Sequence, residues 1–282
     1  MFEAAWVINK FCNMECSYCN AHNVTKQQQI PVDRILRFFN SKGRKWHINI
    51  AGGEPFLYPK FNDLLHRLCE NHEVSIITNL DTPPVLDFIQ TPPKSVRYVM
   101  ASLHLGQNRR LSVDEFCARI KALNQKGIHT FATQVITPEV FDAFDGVLNE
   151  FISKHGLVVA PKCLRGLHAG SVYPAAYTTE QREKFLEWSL LAQQSHNGQL
   201  HDMSVDRAFI HGRAPFLGKH CRAGTDFIRI HASGKITRCG DSNTVIGNLL
   251  TGELHLKAEP ALCDIKDACP YFCYRHSLLT AP

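Results

Sequence analysis

Through the first 160 residues, short runs of β-branched and aromatic residues alternate with stretches whose apolar positions recur every three or four residues. This is the pattern of strand–helix units built around a parallel sheet. The runs predict strands over Ala4–Asn9, His47–Ala51, Val74–Thr78, Val96–Ser102, His129–Ile136 and Leu157–Ala160. Helices are expected between them. Pro31–Asn40 has Pro in its first turn, Phe61–Asn71 carries Leu64, Leu65 and Leu68 on one face, and Val113–Gln125 is capped by Ser112 and stopped by Gly127. Pro138–Ser153 and Thr179–Gln194 read as further helices, and Pro83–Pro84 and Pro92–Pro93 as helix boundaries. Six units predict an α/β fold, a partial (β/α)6 barrel of TIM type short of the full eight.

Beyond Pro215 the texture changes: Cys, Gly and His become frequent and long helical periodicity ends. Ile228, Ile230 and Ile236 suggest a small hairpin turning at Ser233–Gly234. The expected division is a barrel over 1–215 and a small metal-organised appendage over 216–282, with no internal repeat or low-complexity tract.

Composition narrows the function classes. Of 282 residues, 44% are hydrophobic and 20% charged, enough to bury a substantial core and too apolar for disorder or a collagen-like chain. The net charge of +5 is not gathered into a basic stripe with aromatics, which disfavours nucleic acid as a partner. No apolar run approaches the roughly 18 residues of a membrane span, and the start lacks a signal peptide's basic and apolar regions. The chain reads as cytoplasmic, and a reducing compartment disfavours pairing its 11 cysteines as disulfides. Metal or redox chemistry is the leading explanation for them.

Cys12, Cys16 and Cys19 form CNMECSYC directly after the first expected strand, at the carboxyl end where barrel active sites gather. Three thiolates can hold three irons of a cubane and leave the fourth open to a small molecule. A zinc site with His22 as fourth ligand is the plainer alternative. The Cys-x3-Cys-x2-Cys run, with Tyr18 before its last cysteine, resembles the signature of the radical S-adenosylmethionine (SAM) superfamily. Gly52-Gly53-Glu54-Pro55, after the second expected strand, is similar to that family's second motif. The resemblance implies a 4Fe–4S cluster on the three thiols and SAM chelating its open iron. It further implies that the Gly-Gly-Glu-Pro backbone and acid meet the SAM ammonium, and that a 5′-deoxyadenosyl radical abstracts a hydrogen atom from substrate. Ser102 matches the place of a polar SAM contact in relatives; the acid common two residues on is His104 here, for which a surface-loop position is the alternative. Asn79 could also reach SAM, or simply form a turn.

A second group comprises Cys221, Cys239, Cys263, Cys269 and Cys273, with four residues between Gly234 and Cys239. A zinc ribbon is the bland reading. The spacing resembles the SPASM/twitch extension of radical SAM enzymes. Compared with the full pattern, Pro260 stands where a cysteine precedes Cys263 and no cysteine follows Cys273. The resemblance therefore implies one auxiliary 4Fe–4S cluster on Cys221, Cys239, Cys269 and Cys273, with Cys263 as rival ligand, serving electron transfer.

Cys69 and Cys117 fall in amphipathic helices and are assigned to the core. Cys163, placed after the sixth strand, could return a hydrogen atom to a substrate radical, or be a loop thiol; Arg165 could bind an oxygen or carboxylate, or be a solvated surface residue. Because the first strand begins almost at Met1, no separate leader-peptide-binding domain is expected ahead of it. That tilts the substrate toward a small polar molecule: a sugar, aminocyclitol or alcohol that is oxidised or epimerised, as in the aminocyclitol dehydrogenases the short form resembles. The rivals are modification of a ribosomally made peptide by cross-linking, thioether formation or epimerisation, and a non-catalytic zinc-binding interaction module. An external one-electron donor such as flavodoxin or ferredoxin is the implied protein partner.

Overall fold

A computed structural model describes residues 1–19, 29–195, 204–211, 217–240 and 242–263. Its main strands are β1 (Phe2–Val7), β2 (Trp46–Ala51), β3 (Glu73–Thr78), β4 (Val96–Ser102), β5 (His129–Ile136) and β6 (Val159–Cys163). These six lie parallel and in chain order. Two short strands, β7 (Gly166–His168) and β8 (Ser171–Tyr173), form a separate hairpin. The C-terminal strands are β9 (His220–Cys221), β10 (Phe227–Ile230), β11 (Lys235–Thr237), β12 (Val245–Asn248), β13 (Glu253–Leu254) and β14 (Ala261–Leu262).

Parallel strands are covered on both faces, and alternate residues serve different layers. Ala4, Trp6, Ile48, Ile50, Val74, Ile76, Val99 and Ala101 join the main core. Between them a polar set closes on itself inside the sheet: His47 Nε2 lies 2.8 Å from Ser75 Oγ, and Tyr98 donates to Asn49 at 2.8 Å.

The helices are α1 (Val32–Asn40), α2 (Phe61–Cys69), α3 (Pro84–Gln90), α4 (Val113–Gln125), α5 (Pro138–Phe141), α6 (Phe144–Glu150), α7 (Thr179–Ser195) and α8 (Ser204–Ile210). Ser112 and Glu115 form a full capping box on α4, which Gly127 follows at φ +81°. The proline pairs bound α3, which the apolar pattern alone does not reveal. The helix expected over 138–153 is broken into α5, α6 and a π turn over Phe151–His155. The break seats Phe141 and Phe144 against Trp188 of α7 at 5.1 and 4.8 Å, while the Trp188 indole donates to Asp145 at 2.7 Å. Tertiary contact here overrides a continuous helical period.

Two strands are shifted from expectation by two or more residues at each end. β1 stops at Val7 because the next residues turn away to meet the end of β2, and Asn9 donates its side-chain amide to the Glu54 carbonyl at 2.9 Å. β6 runs on to Cys163 despite Pro161, tolerable because among the described residues β6 is an edge strand paired with β5 alone.

β10 pairs in parallel with β1, placing Phe227 beside Glu3 and Arg229 beside Ala5. Strands of the C-terminal segment thus continue the same sheet, in the order β13-β12-β11-β10-β1-β2-β3-β4-β5-β6. The expected hairpin turn lies between β10 and β11, with Gly234 at φ +87°, where a left-handed backbone favours glycine.

Candidate active site

The loop leaving β1 carries Cys12, Cys16 and Cys19, and all three line one cavity of about 380 Å3 at the carboxyl ends of β1 to β4. That lies within the roughly 300–1,000 Å3 of small-molecule sites. Gly52, Gly53, Glu54, Asn79, Tyr18, Ser102 and His104 line the same cavity. Pro55 does not; it is buried and opens a 3-10 turn over Pro55–Leu57.

The two glycines are required by close approach. A Cβ on Gly52 would lie 2.6 Å from the Asn9 carbonyl oxygen, and one on Gly53 1.9 Å from that of Phe11. Gly53 N–H donates to Asn9 at 2.9 Å and Glu54 N–H to Phe11 at 2.5 Å. The end of β2 is thereby laced to the start of the cysteine loop. Farther along, Asn79 Nδ2 donates to Asn13 Oδ1 at 2.8 Å and Asn13 Nδ2 to the Asp81 carbonyl at 2.9 Å, tying the loop to β3.

Glu54 is 1% exposed. Its carboxylate accepts from Phe56 N–H at 3.1 Å, the Thr78 hydroxyl at 2.8 Å and Asn79 N–H at 2.8 Å. Burial pushes its pKa up to about 7 against these donors, which favour the anion. Oε2 makes one of the three bonds and retains capacity for a donor in the cavity.

His104 sits at φ +53° after β4, where its Nδ1 lies 2.6 Å from the Tyr18 hydroxyl and 3.4 Å from Cys16 Sγ. Burial, then the nearby Arg109 guanidinium, lowers its pKa to about 4, so the ring is neutral at pH 7 and shares a hydrogen bond with the Tyr18 hydroxyl. It is a cavity wall and not a surface-loop residue. Burial likewise raises the Cys12 thiol, and Cys16 to about 11, with the thiols' mutual repulsion adding to it. Iron coordination would reverse that, since a coordinated thiol is deprotonated.

A second thiol group forms behind β1. Cys221 and Cys239 pack with Ala5, Ala223 and Phe227, and Cys263 packs against them. Burial raises Cys221, with the charges of Cys263 and Cys239 contributing. Buried Arg238 fastens the surrounding backbone, donating to the carbonyls of Ala223 at 2.8 Å, Leu262 at 3.0 Å and Ala261 at 2.8 Å. Cys263, the rival in the expected ligand set, is therefore beside Cys221 and Cys239; Cys269, Cys273 and His22 lie outside the described residues.

Cys163 and Arg165 stand apart. Cys163 ends β6 at 5% exposure, outside the thiol-lined cavity, and burial holds its thiol well above the ordinary range. It is a buried strand residue where a loop thiol at the barrel mouth was expected. Arg165 pairs with buried Asp206 at 3.2 Å and lies 4.3 Å over the Phe209 ring, so it is neither a solvated residue nor part of that cavity. Cys69 is half-buried and Cys117 buried, both with raised thiols, as core residues.

Residues 6–150 match the sequence profile of the Radical SAM superfamily, half of the chain. The chain belongs to this superfamily. Among solved structures it is similar to SuiB of Streptococcus suis bound to S-adenosylmethionine, with a TM-score of 0.62 and 17% identity over 89% of this chain and 63% of that one. It is also similar to anSMEcpe with bound AdoMet, with a TM-score of 0.61 and 15% identity over 88% of this chain and 78% of that one. The chain thus spans under two thirds of SuiB. Comparison with curated protein sequences finds no match.

Membership in the radical SAM superfamily implies a 4Fe–4S cluster and SAM. The residues fit: three thiols line one cavity of adequate volume, the donor set of a cubane with an open iron. Among the described residues, no three His, Cys, Asp or Glu side chains are arranged around a single metal ion. Sequence reasoning missed Thr78, Asn13 and Gln107, whose Oε1 accepts Ser17 N–H at 3.1 Å. A polar pair, Thr78-Asn79, at a strand end facing the Gly-Gly-Glu-Pro turn was the available signal for the first. Among the described residues no helix is long and apolar enough to cross a membrane.

Proposed function

We propose that this chain is a radical SAM oxidoreductase whose reaction begins with reductive cleavage of SAM in the thiol-lined cavity. The single observation carrying the reading is the convergence of Cys12, Cys16 and Cys19 with the Gly52–Glu54 turn on one cavity. Bound there, the cluster and SAM would supply radical chemistry that abstracts a hydrogen atom from the substrate. Cys12, Cys16 and Cys19 hold the cluster. Glu54 Oε2 and the Gly52–Gly53 backbone receive the SAM ammonium, and Asn79, Ser102 and Tyr18 flank the rest, with His104 orienting the Tyr18 hydroxyl. The 216–282 segment acts as a twitch extension holding one auxiliary 4Fe–4S cluster, with Cys221, Cys239 and Cys263 contributing and an external flavodoxin or ferredoxin feeding electrons.

The substrate class proposed is a small polar molecule with an oxidisable carbinol or epimerisable carbon. A second reading is peptide modification, favoured by the likeness to SuiB bound to the precursor peptide SuiA and to anSMEcpe with bound Cp18Cys peptide. The test is anaerobic incubation of dithionite-reduced, reconstituted protein with SAM and candidate substrates deuterated at one carbon. Formation of 5′-deoxyadenosine carrying deuterium supports the reading and selects the substrate class. Failure to form 5′-deoxyadenosine at all overturns it.

A further inference from the structure

A second cavity, of about 610 Å3, borders the same cysteine loop. Ser17 lines it while its neighbours Cys16 and Tyr18 line the first, and Leu105 and Gln107 line it while His104 faces the first. Its apolar side comes from Leu105 and from Val140, Ala143 and Val147 at α5 and α6. Its polar side is Glu139 with His168, whose Nε2 lies 3.1 and 3.2 Å from the two carboxylate oxygens.

The burial of this pair is lopsided. The His168 side chain is 5% exposed and that of Glu139 60%. The imidazole therefore covers one side of the carboxylate and leaves the other open. The Thr137 hydroxyl, followed by the backbone and His168, holds Glu139 below the usual carboxylate range, so it is ionised at neutral pH. No lysine or arginine stands among the described residues lining the cavity. An anionic ligand would meet the Glu139 carboxylate there, with only His168 and the Thr137 hydroxyl set against its charge, and a neutral alcohol brings no charge to its open side.

We propose that this cavity binds a primary ammonium group on a short apolar stem, an alkylamine or a lysine side chain, with the ammonium on Glu139 and the stem along Val140, Ala143 and Val147. A four- or five-carbon stem suits an apolar wall of that kind, since such stems bury their methylenes while the charged head keeps its polar partner. The site goes beyond the SAM-cleaving reading and needs neither cluster nor SAM. It is joined to that machinery by Gln107, whose carbonyl accepts the N–H of Ser17, the residue after Cys16.

The test is binding to anaerobically purified full-length protein without SAM, followed by saturation-transfer NMR titration with n-pentylammonium, pentanoate and 1-pentanol. Pentylammonium is expected to bind more tightly than pentanol, and pentanoate not at all. Glu139→Gln should weaken pentylammonium about tenfold, or ~1.4 kcal/mol, and leave pentanol unchanged. Val147→Trp should weaken both by filling the cavity. Tighter binding of N-acetyl-lysinamide than pentylammonium assigns the cavity to a lysine-bearing substrate, and the reverse order to a free amine. Pentanoate binding as well as pentylammonium, an unchanged Glu139→Gln variant of native circular dichroism, or no binding by any amine overturns the proposal. Because no turnover is read, its failure is separate from a failure of SAM cleavage.

Discussion

Glu54 Oε2 accepts the backbone N–H of Asn79 at 2.8 Å, so a single buried carboxylate joins the end of β2 to the end of β3 directly beneath the thiol-lined cavity. Replacing it with Gln turns an amide NH2 toward donors that need an acceptor. Hydrogen bonds to charged groups contribute about 1.5–3 kcal/mol, and Glu54→Gln should cost about 2 kcal/mol in urea denaturation. SAM affinity should fall with it, read by equilibrium dialysis of the reconstituted protein; unchanged values in both would remove Glu54 from the site.

Gly53 and Gly146 give opposite expectations for the same substitution. A Cβ at Gly53 would meet the Phe11 backbone at 1.9 Å, whereas Gly146, inside α6, has nothing within 4 Å. Gly53→Ala should lower stability by about 2–4 kcal/mol and abolish 5′-deoxyadenosine formation. Gly146→Ala should raise stability by about 0.5–1 kcal/mol through helix propensity. Thermal melts of the two variants side by side check both signs.

Asp206 is fully buried between Lys162 at 2.6 Å and Arg165 at 3.2 Å and also accepts Cys163 N–H at 3.2 Å. Burial pushes the carboxyl up, but Lys162, Arg165 and the Cys163 N–H together outweigh it and keep the carboxyl below the usual range. Removing one member of a buried ion cluster leaves uncompensated charge, and Asp206→Asn should cost about 3 kcal/mol or more. Cys163→Ala should leave SAM cleavage intact, measured as 5′-deoxyadenosine formed under dithionite.

His231 supplies a pH dependence. Its Nε2 lies 2.9 Å from Thr237 Oγ1, whose own proton goes to the Cys239 carbonyl at 2.8 Å, so the ring is the donor. Burial, then Arg229, Lys235 and Lys10, lower its pKa from 6.5 to about 4. Between those values the unfolded chain binds the proton and the folded one does not. Stability should therefore rise with pH from about 4 to 6.5 and be lost on acidification, by ~1–2 kcal/mol allowing for partial solvent screening. Urea midpoints across that window should show a shallower slope for His231→Gln.

Iron content separates the two thiol groups. Cys16→Ala should remove about four irons per chain on anaerobic reconstitution, and Cys239→Ala a comparable number from the other site. Cys263→Ala should match Cys239→Ala if Cys263 is a ligand; full iron retention would return both remaining places to Cys269 and Cys273.

The sequence by itself determined the strand–helix alternation, the cysteine loop at the end of β1 and the Gly-Gly-Glu-Pro turn at the end of β2. Hydrophobic period and short-range spacing are properties of adjacent residues, and those regions obey them. β4 and β5 begin and end where the apolar runs do. Tertiary structure alone decided that Gly53 must be glycine because of Phe11, that Glu54 answers to Thr78 and Asn79, and that His104 belongs to Tyr18. It also decided that β10 lies along β1, which brings Cys221, Cys239 and Cys263 behind Ala5. Each of these depends on chain segments 20 to more than 200 residues apart meeting in space, and no local period encodes which of them meet.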